Sequence, residues 1–250
     1  MQKEIKLKLK EIEKERDIEI LFAVESGSRV WGFASENSDW DIRFVYKKPL
    51  QEYIKIGKGK DTIELMDKDL DFSGWDIHKA LGLLGKCNPS LVDWLSSNII
   101  YKNGKIRKNM LAYLKNHFSP RANGYHFLNM AKKNYDKYIQ KRKQVSRKKY
   151  LYVMRSIIAL DYIKRNLTVA PIVFSNLVKQ AKISKGIKQE IKTLLDEKKR
   201  NSEDVIGPRI PILDKYIENS IEKFEKWLMT APVQKTDAKL LNKMLQNELL

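Results

Sequence analysis

Residues 27–44 read GSRVWGFASENSDWDIRF, and this stretch decides the fold. Before it, Ile18–Ser28 (IEILFAVESGS) is an apolar run of strand length that stops at a Ser-Gly-Ser turn. At its far end, Asp39–Lys47 (DWDIRFVYK) alternates in period two with β-branched and aromatic residues, the pattern of a half-buried strand. Asp39 and Asp41 stand two apart on that strand, so both carboxylates leave on one face. Neighbouring carboxylates repel unless a cation lies between them. Hard oxygen donors at this spacing suit Mg²⁺, which takes a couple of carboxylates and completes its shell with substrate phosphates. Gly27 and Ser28 end the first strand, and a Gly-Ser turn that opens a short helix lets backbone N–H groups and a hydroxyl approach a phosphate. Arg29 adds positive charge beside it. Ser38, just ahead of the second strand, either hydrogen-bonds a triphosphate or shapes the turn.

A third carboxylate completes a site of this kind. Thr62–Met66 (TIELM), the polar turn DKD and Leu70–Phe72 (LDF) read as a hairpin, and Asp71 lies in its second strand. If that strand lies beside Asp39–Phe44, Asp71 faces the pair. Asp76 is the other candidate, in the first turn of the following helix, where the helix dipole favours an acid for structural reasons alone. Asp71 is therefore preferred, and Asp69, in the turn, ranks last. Ser73 is a plausible N-cap for a helix running from Trp75 to about Lys86, with Ile77, Ala80, Leu81 and Leu84 as its inner face. The stretch QEYIKIG after Pro49 reads as a short helix. The first sixteen residues carry Ile5, Leu9 and Ile12 on one helical face.

Past residue 107 the strand signals give way to helical periodicity, from Met110/Leu111/Leu114 through Tyr150–Ile163 to Leu240–Leu249. The sequence predicts an α+β protein: a catalytic domain over residues 1–104, with a small mixed sheet and helices, and an all-helical domain over 105–250. The stretch YKNGKIRKN, with its turn-forming Asn103-Gly104, is the expected linker.

The whole chain of 250 residues has 49 Lys and Arg against 31 Asp and Glu, a net charge of +18. Such a charge points to an anionic partner, with nucleic acid first and an acidic membrane surface second; the alternative is a lysine-rich surface with no such partner. One cysteine, Cys87, excludes an internal disulfide framework and a multi-cysteine zinc site, and a cytoplasmic, reducing compartment fits best. The charged N-terminus is unlike a signal peptide, and no apolar run reaches membrane-spanning length. Three histidines leave little for His-based metal or hydrolase chemistry.

Lys148, Tyr152 and Arg155 recur at i, i+4 and i+7, one face of a helix, which can hold a triphosphate or stack a base. The alternative is a solvated basic stripe beside the core stripe of Leu151, Met154 and Ile158. Upstream, KRKQVSRKK (Lys141–Lys149) places six basic residues in nine, near Tyr135, Tyr138 and Tyr150. This reads either as a solvated helix end or as a nucleic-acid track with stacking partners.

The run Gly27–Arg43 resembles the signature of the DNA polymerase β-like nucleotidyltransferase superfamily: Gly-Ser, a short spacer, then Asp-x-Asp. More narrowly it resembles a bacterial and phage family of predicted nucleotidyltransferases linked to RNA repair (RlaP-like). Gly27-Ser28-Arg29, Trp31-Gly32 and Ser38-Asp39-Trp40-Asp41-Ile42-Arg43 carry that likeness. Leu70–Leu95, Asn123–Tyr135 and Lys148–Ile163 extend it to about residue 230. Cys87 and Asp93 depart from the family pattern, away from the acidic residues.

The resemblance implies that Asp39, Asp41 and Asp71 hold two Mg²⁺ ions. It also implies that Gly27, Ser28 and Arg29 cradle the phosphates of a nucleoside triphosphate, and that Lys148, Lys149, Tyr152 and Arg155 help to bind the nucleotide. A nucleoside monophosphate then passes to a hydroxyl, with an RNA (tRNA-like) 3′ end as the expected acceptor. The competing readings are a nucleotidyltransferase that modifies a protein or small molecule, and a non-catalytic nucleic-acid-binding module on the same scaffold.

Overall fold

The computed structural model describes residues 1–35, 37–57, 59–200 and 205–250. The described residues form two compact units. The first comprises 1–30, 39–118 and 235–250; the second comprises 31–38 and 119–234. The chain thus enters the second unit briefly between the two site strands, and its C-terminal helix belongs to the first. The expected boundary at residue 104 falls at the N-cap of a helix inside the first unit.

In the first unit, α1 (Gln2–Arg16) is followed by β1 (Glu19–Glu25), the five-residue α2 (Gly27–Trp31), whose last residue belongs to the second unit, and β2 (Trp40–Lys47). Then come β3 (Thr62–Asp67), β4 (Leu70–Asp76), α3 (Ile77–Gly85), α4 (Pro89–Ser96), β5 (Ile100–Lys102) and α5 (Lys105–His117). The strands form one mixed sheet in the order β3-β4-β2-β1-β5. All pairings are antiparallel except β2 with β4, which is parallel. One face of β2 supplies Ile42, Phe44 and Tyr46. They join Leu70 and Phe72 of β4 and Ile5, Leu9 and Ile12 of α1 in one core cluster, each at most 5% exposed. The 4-then-3 spacing of the α1 residues keeps all three on one stripe, which is why a helix this polar docks at all. Alternation then forces Asp41 and Arg43 onto the opposite face of β2.

The hairpin β3–β4 forms as the sequence predicts. The strand β4, however, runs on to Asp76, so Ser73 lies within a strand rather than at a helix N-cap. The cap of α3 is Asp76, whose Oδ1 accepts from the His78 amide at 2.8 Å. Phe44 explains the extension. A Cβ on Gly74 would lie 2.2 Å from its ring, so glycine lets β4 pair closely beside it. The stretch after Pro49 makes only one 3-10 turn, Leu50–Glu52. The expected linker instead supplies the edge strand β5 and opens α5.

The second unit contains α6 (Pro120–Tyr135), a π-helical turn, β6 (Gln144–Ser146), α7 (Arg147–Asn166) and α8 (Phe174–Gln180). They are followed by α9 (Lys185–Arg200), β7 (Ile206–Pro208) and α10 (Pro211–Thr230). The helix α11 (Ala238–Leu249) returns to the first unit and packs on α3 and α5. Within the second unit α7 is central, packed by α6, α8, α9 and α10 and buried nearly all round. The helical half is not wholly helical, because β6 and β7 pair as a two-stranded ribbon. No helix among the described residues is long and apolar enough to cross a membrane.

Candidate active site

The parallel pairing of β2 with β4 sets Asp41 directly opposite Asp71. Their carboxylates converge on one atom. The Nη2 of Arg43 donates to Asp41 Oδ1 and to Asp71 Oδ2, both at 2.7 Å. The other guanidinium nitrogen, Nη1, donates to the backbone carbonyls of Asp71 (2.8 Å) and Ile42 (3.2 Å). Arg43 sits two residues beyond Asp41 on the same strand face, so the strand itself delivers the cation to the acidic pair.

Gly27 and Asp41 are in close contact. Gly27 has φ +63°, and a Cβ there would lie 2.1 Å from Asp41 Oδ2. Both the left-handed backbone and the approach of the carboxylate require glycine. The turn is tied to the strand by Ser26 N–H, which donates to the Asp41 carbonyl at 2.8 Å. Ser28 is buried at the start of α2. The Arg29 guanidinium lies over the Trp40 ring, 3.7 Å from its centroid, and its Nε donates to the Asp39 carbonyl at 3.1 Å. Asp39 itself is exposed, immediately before β2.

Behind the pair lies a residue that the sequence reading passed over. Glu25 ends β1 fully buried, takes the Asp41 amide on Oε1 at 2.8 Å, and takes the Tyr101 hydroxyl on Oε2. Burial pushes its carboxyl above the ordinary glutamate value, against the pull of those two hydrogen bonds. Asp41 is raised as well, chiefly by burial; Asp71 and Asp39 push the same way, and Arg43 opposes them. A lone acid ending an apolar strand is the only hint of Glu25 in the sequence, and its partner Tyr101 is 76 residues away.

Asp76 has a structural position. Its Oδ1 caps α3 and its Oδ2 accepts from the Tyr53 hydroxyl at 2.8 Å. Asp69 lies in the hairpin turn, where its carbonyl accepts from the Trp40 amide. Ser38 is buried in the second unit, its Oγ 3.0 Å from both the amide and the hydroxyl of Ser35, so it shapes the turn.

The α7 residues belong to the second unit. Arg155 is only 4% exposed, and its guanidinium stacks 4.2 Å from the Trp31 ring centroid. Arg155 is therefore not part of a solvated stripe. Tyr152 meets Trp31 edge-on at 5.8 Å, and Phe33 and Lys198 gather around it. Lys148, Lys149 and Tyr152 are partly exposed, and Lys149 lies 4.0 Å over Tyr138. Two of the three tyrosines expected to line a nucleic-acid track are unavailable for stacking. Tyr135 is buried and donates to Glu218 (2.6 Å), and Tyr150 is buried and donates to Asp214 (2.8 Å). Arg147, inside the basic run, donates to the Pro208 carbonyl and pairs with Glu197.

The donors between β2 and β4 fit a hard cation. One oxygen from each carboxylate converges on a single cationic nitrogen. Among the described residues no three His, Cys, Asp or Glu side chains form a ligand set, so Asp39, which is exposed, is not gathered with Asp41 and Asp71 as the sequence predicts.

The mixed sheet thus carries an acidic pair on adjacent strands, beside a Gly-Ser turn. The chain belongs to the family described as RlaP, RNA repair pathway DNA polymerase beta family, which it matches over residues 1–247. It is similar to the uncharacterized protein YcgL of Bacillus subtilis (strain 168), with 38% identity over 242 residues, 96% of this chain and 93% of that protein. A crystal structure of a nucleotidyltransferase-like protein from Exiguobacterium sibiricum 255-15 aligns with 98% of this chain and 79% of that one, at 12% identity and a TM-score of 0.32.

Proposed function

We propose that this protein transfers a nucleoside monophosphate from a nucleoside triphosphate to a hydroxyl at an RNA 3′ end, releasing pyrophosphate. The observation that carries this reading is the convergence of Asp41 and Asp71, paired across parallel strands, on one cationic atom beside the Gly27 turn. Asp39, Asp41 and Asp71 would hold Mg²⁺. When bound, the ions lower the pKa of the attacking hydroxyl and stabilise charge on the leaving pyrophosphate.

The remaining work falls to the chain. Gly27 and Ser28 present the α2 turn to the triphosphate, with Arg29 beside them. Glu25 fixes the Asp41 amide, and so holds β2 in the register that brings Asp41 to Asp71. The acceptor oxygen bonds to the α-phosphorus as the bridge to the β-phosphate breaks, and the hydroxyl proton passes to water. Positioning and charge supply most of the rate in such a reaction. Lys148, Lys149 and Tyr152 are assigned to the nucleotide, while Arg155, buried under Trp31, acts by holding that aromatic group in place. The +18 charge suits a polyanionic acceptor, whose binding weakens steeply with salt.

The test is transfer of α-³²P label from each of the four nucleoside triphosphates, with Mg²⁺, to total RNA, total protein and buffer, with Asp41→Asn run alongside. Label in RNA that the variant loses is the expected result. Label in protein moves the acceptor to a polypeptide. No label with salt-sensitive RNA binding intact returns the protein to a binding module.

A further inference from the structure

We infer that Arg43 competes with the divalent cation for Asp41 and Asp71, so that metal binding and release of its guanidinium are a single exchange. The inference rests on the metal-site reading proposed above and adds to it the residue that sets the site's affinity.

Three observations carry it. First, the same Arg43 nitrogen bonds Asp41 Oδ1 and Asp71 Oδ2 at 2.7 Å. The guanidinium occupies the point where one oxygen of each carboxylate converges, and a second cation cannot share that gap without strong repulsion. Second, the arginine side chain is held inside, only 16% exposed, and reaches the pair from the same strand face, so it is always at hand. Third, the guanidinium is divided between two kinds of partner. Nη2 holds the carboxylates, whereas Nη1 holds the carbonyls of Ile42 and Asp71. Those carbonyls give the group a second anchorage, on which it can pivot as Nη2 lets go. Lysine has no such fork and cannot hold both sets at once.

The exchange has a function in this setting. Asp41 and Asp71 face each other by strand register, and without a cation they repel. Arg43 keeps them together and aimed, at the cost of metal affinity. A metal arriving with a triphosphate brings anionic oxygens that favour the exchange, so the site fills with its substrate rather than ahead of it.

The experiment is Mn²⁺ titration of the full-length protein by electron paramagnetic resonance, with Tm measured with and without Mn²⁺, for wild type, Arg43→Met, Arg43→Lys and Asp41→Asn. Arg43→Met is expected to lower the Tm without metal, bind Mn²⁺ at least tenfold more tightly, and gain more Tm from Mn²⁺ than wild type does. Arg43→Lys is expected to lie between them. A folded Arg43→Met or Arg43→Lys protein whose Mn²⁺ affinity equals or falls below that of wild type overturns the competition. If Arg43→Met does not fold, ¹⁵N-arginine side-chain spectra of the wild type decide. The slowly exchanging Arg43 signals should collapse as Mg²⁺ saturates, and their persistence overturns the exchange. Mn²⁺ binding absent from every variant, with Asp41→Asn indistinguishable from wild type, sinks the metal site itself and the inference with it. That outcome is distinct from normal binding that Arg43 does not alter.

Discussion

Asp41 Oδ2 lies where a side chain at residue 27 would have to go, 2.1 Å from the Cβ that Gly27 lacks. The turn and the acidic strand are therefore fitted to each other, and neither can change alone. Gly27→Ala adds that clash to a left-handed backbone penalty of about 1–2 kcal/mol. It is expected to abolish transfer and to lower Tm by several degrees. Gly57→Ala, at a position with no atom within 4 Å of an added Cβ, serves as the control and should leave both unchanged. Thermal unfolding and label transfer on the two variants check this.

Asp71 and Asp76 should separate cleanly. Asp71→Asn is expected to remove transfer while the protein stays folded. Asp76→Ala strips the α3 cap, worth about 1 kcal/mol, and removes the acceptor of the half-buried Tyr53 hydroxyl, which keeps the Lys48 amide as a donor, at about 1 kcal/mol more. It should lower stability yet keep most of the activity per folded molecule. Urea unfolding beside label transfer measures both, and the opposite pattern would make Asp76 the third carboxylate.

Glu25 makes stability pH-dependent. Its carboxyl titrates above the ordinary glutamate value in the folded protein. Between the unfolded and the folded pKa the native state binds more protons, so this group's contribution to stability falls as pH rises through that window. Glu25→Gln is expected to remove that slope while keeping an acceptor for the Asp41 amide. Tm measured across mildly acidic to neutral pH for the variant and wild type tests the sign. An unchanged slope would assign it to another group.

Arg155 and Trp31 should couple in stability. A desolvated guanidinium on an indole face contributes about 2 kcal/mol, and the two groups lie 4.2 Å apart. Arg155→Met and Trp31→Leu, made singly and together, should show a coupling energy of about 1–2 kcal/mol in urea unfolding. Additive losses would reduce the contact to mere proximity.

Much of this was legible in the chain. The α1 stripe, the strands flanking Gly27–Phe44 and the β3–β4 hairpin follow from local periodicity and turn chemistry, because alternation on a strand and 3.6-residue spacing on a helix are written in neighbouring residues. The same local rule places Asp41 and Arg43 on one face. Local rules misread the start of α3. Ser73 is a good capping residue, but pairing with β2, made possible by Gly74 under the Phe44 ring, carries the strand four residues past Phe72, to Asp76. They also misread Tyr135 and Tyr150. Tyrosines beside a basic run look like stacking partners until their hydroxyls are seen bonded to Glu218 and Asp214 in α10.

By itself, then, the sequence determined the class of sheet-forming segment, the Gly-Ser turn, the acidic residues and the charge of the protein, all of which depend on residues close together in the chain. The tertiary structure alone decided what depends on distant segments meeting. It paired β2 parallel to β4 so that Asp71 stands opposite Asp41, and buried Glu25 against Tyr101. It also closed Arg43 across the two carboxylates and placed Arg155 beneath Trp31, 124 positions earlier in the chain. Charges and hydrogen bonds of that kind are set by geometry across a strand gap or a packed helix, and no spacing along one strand encodes them.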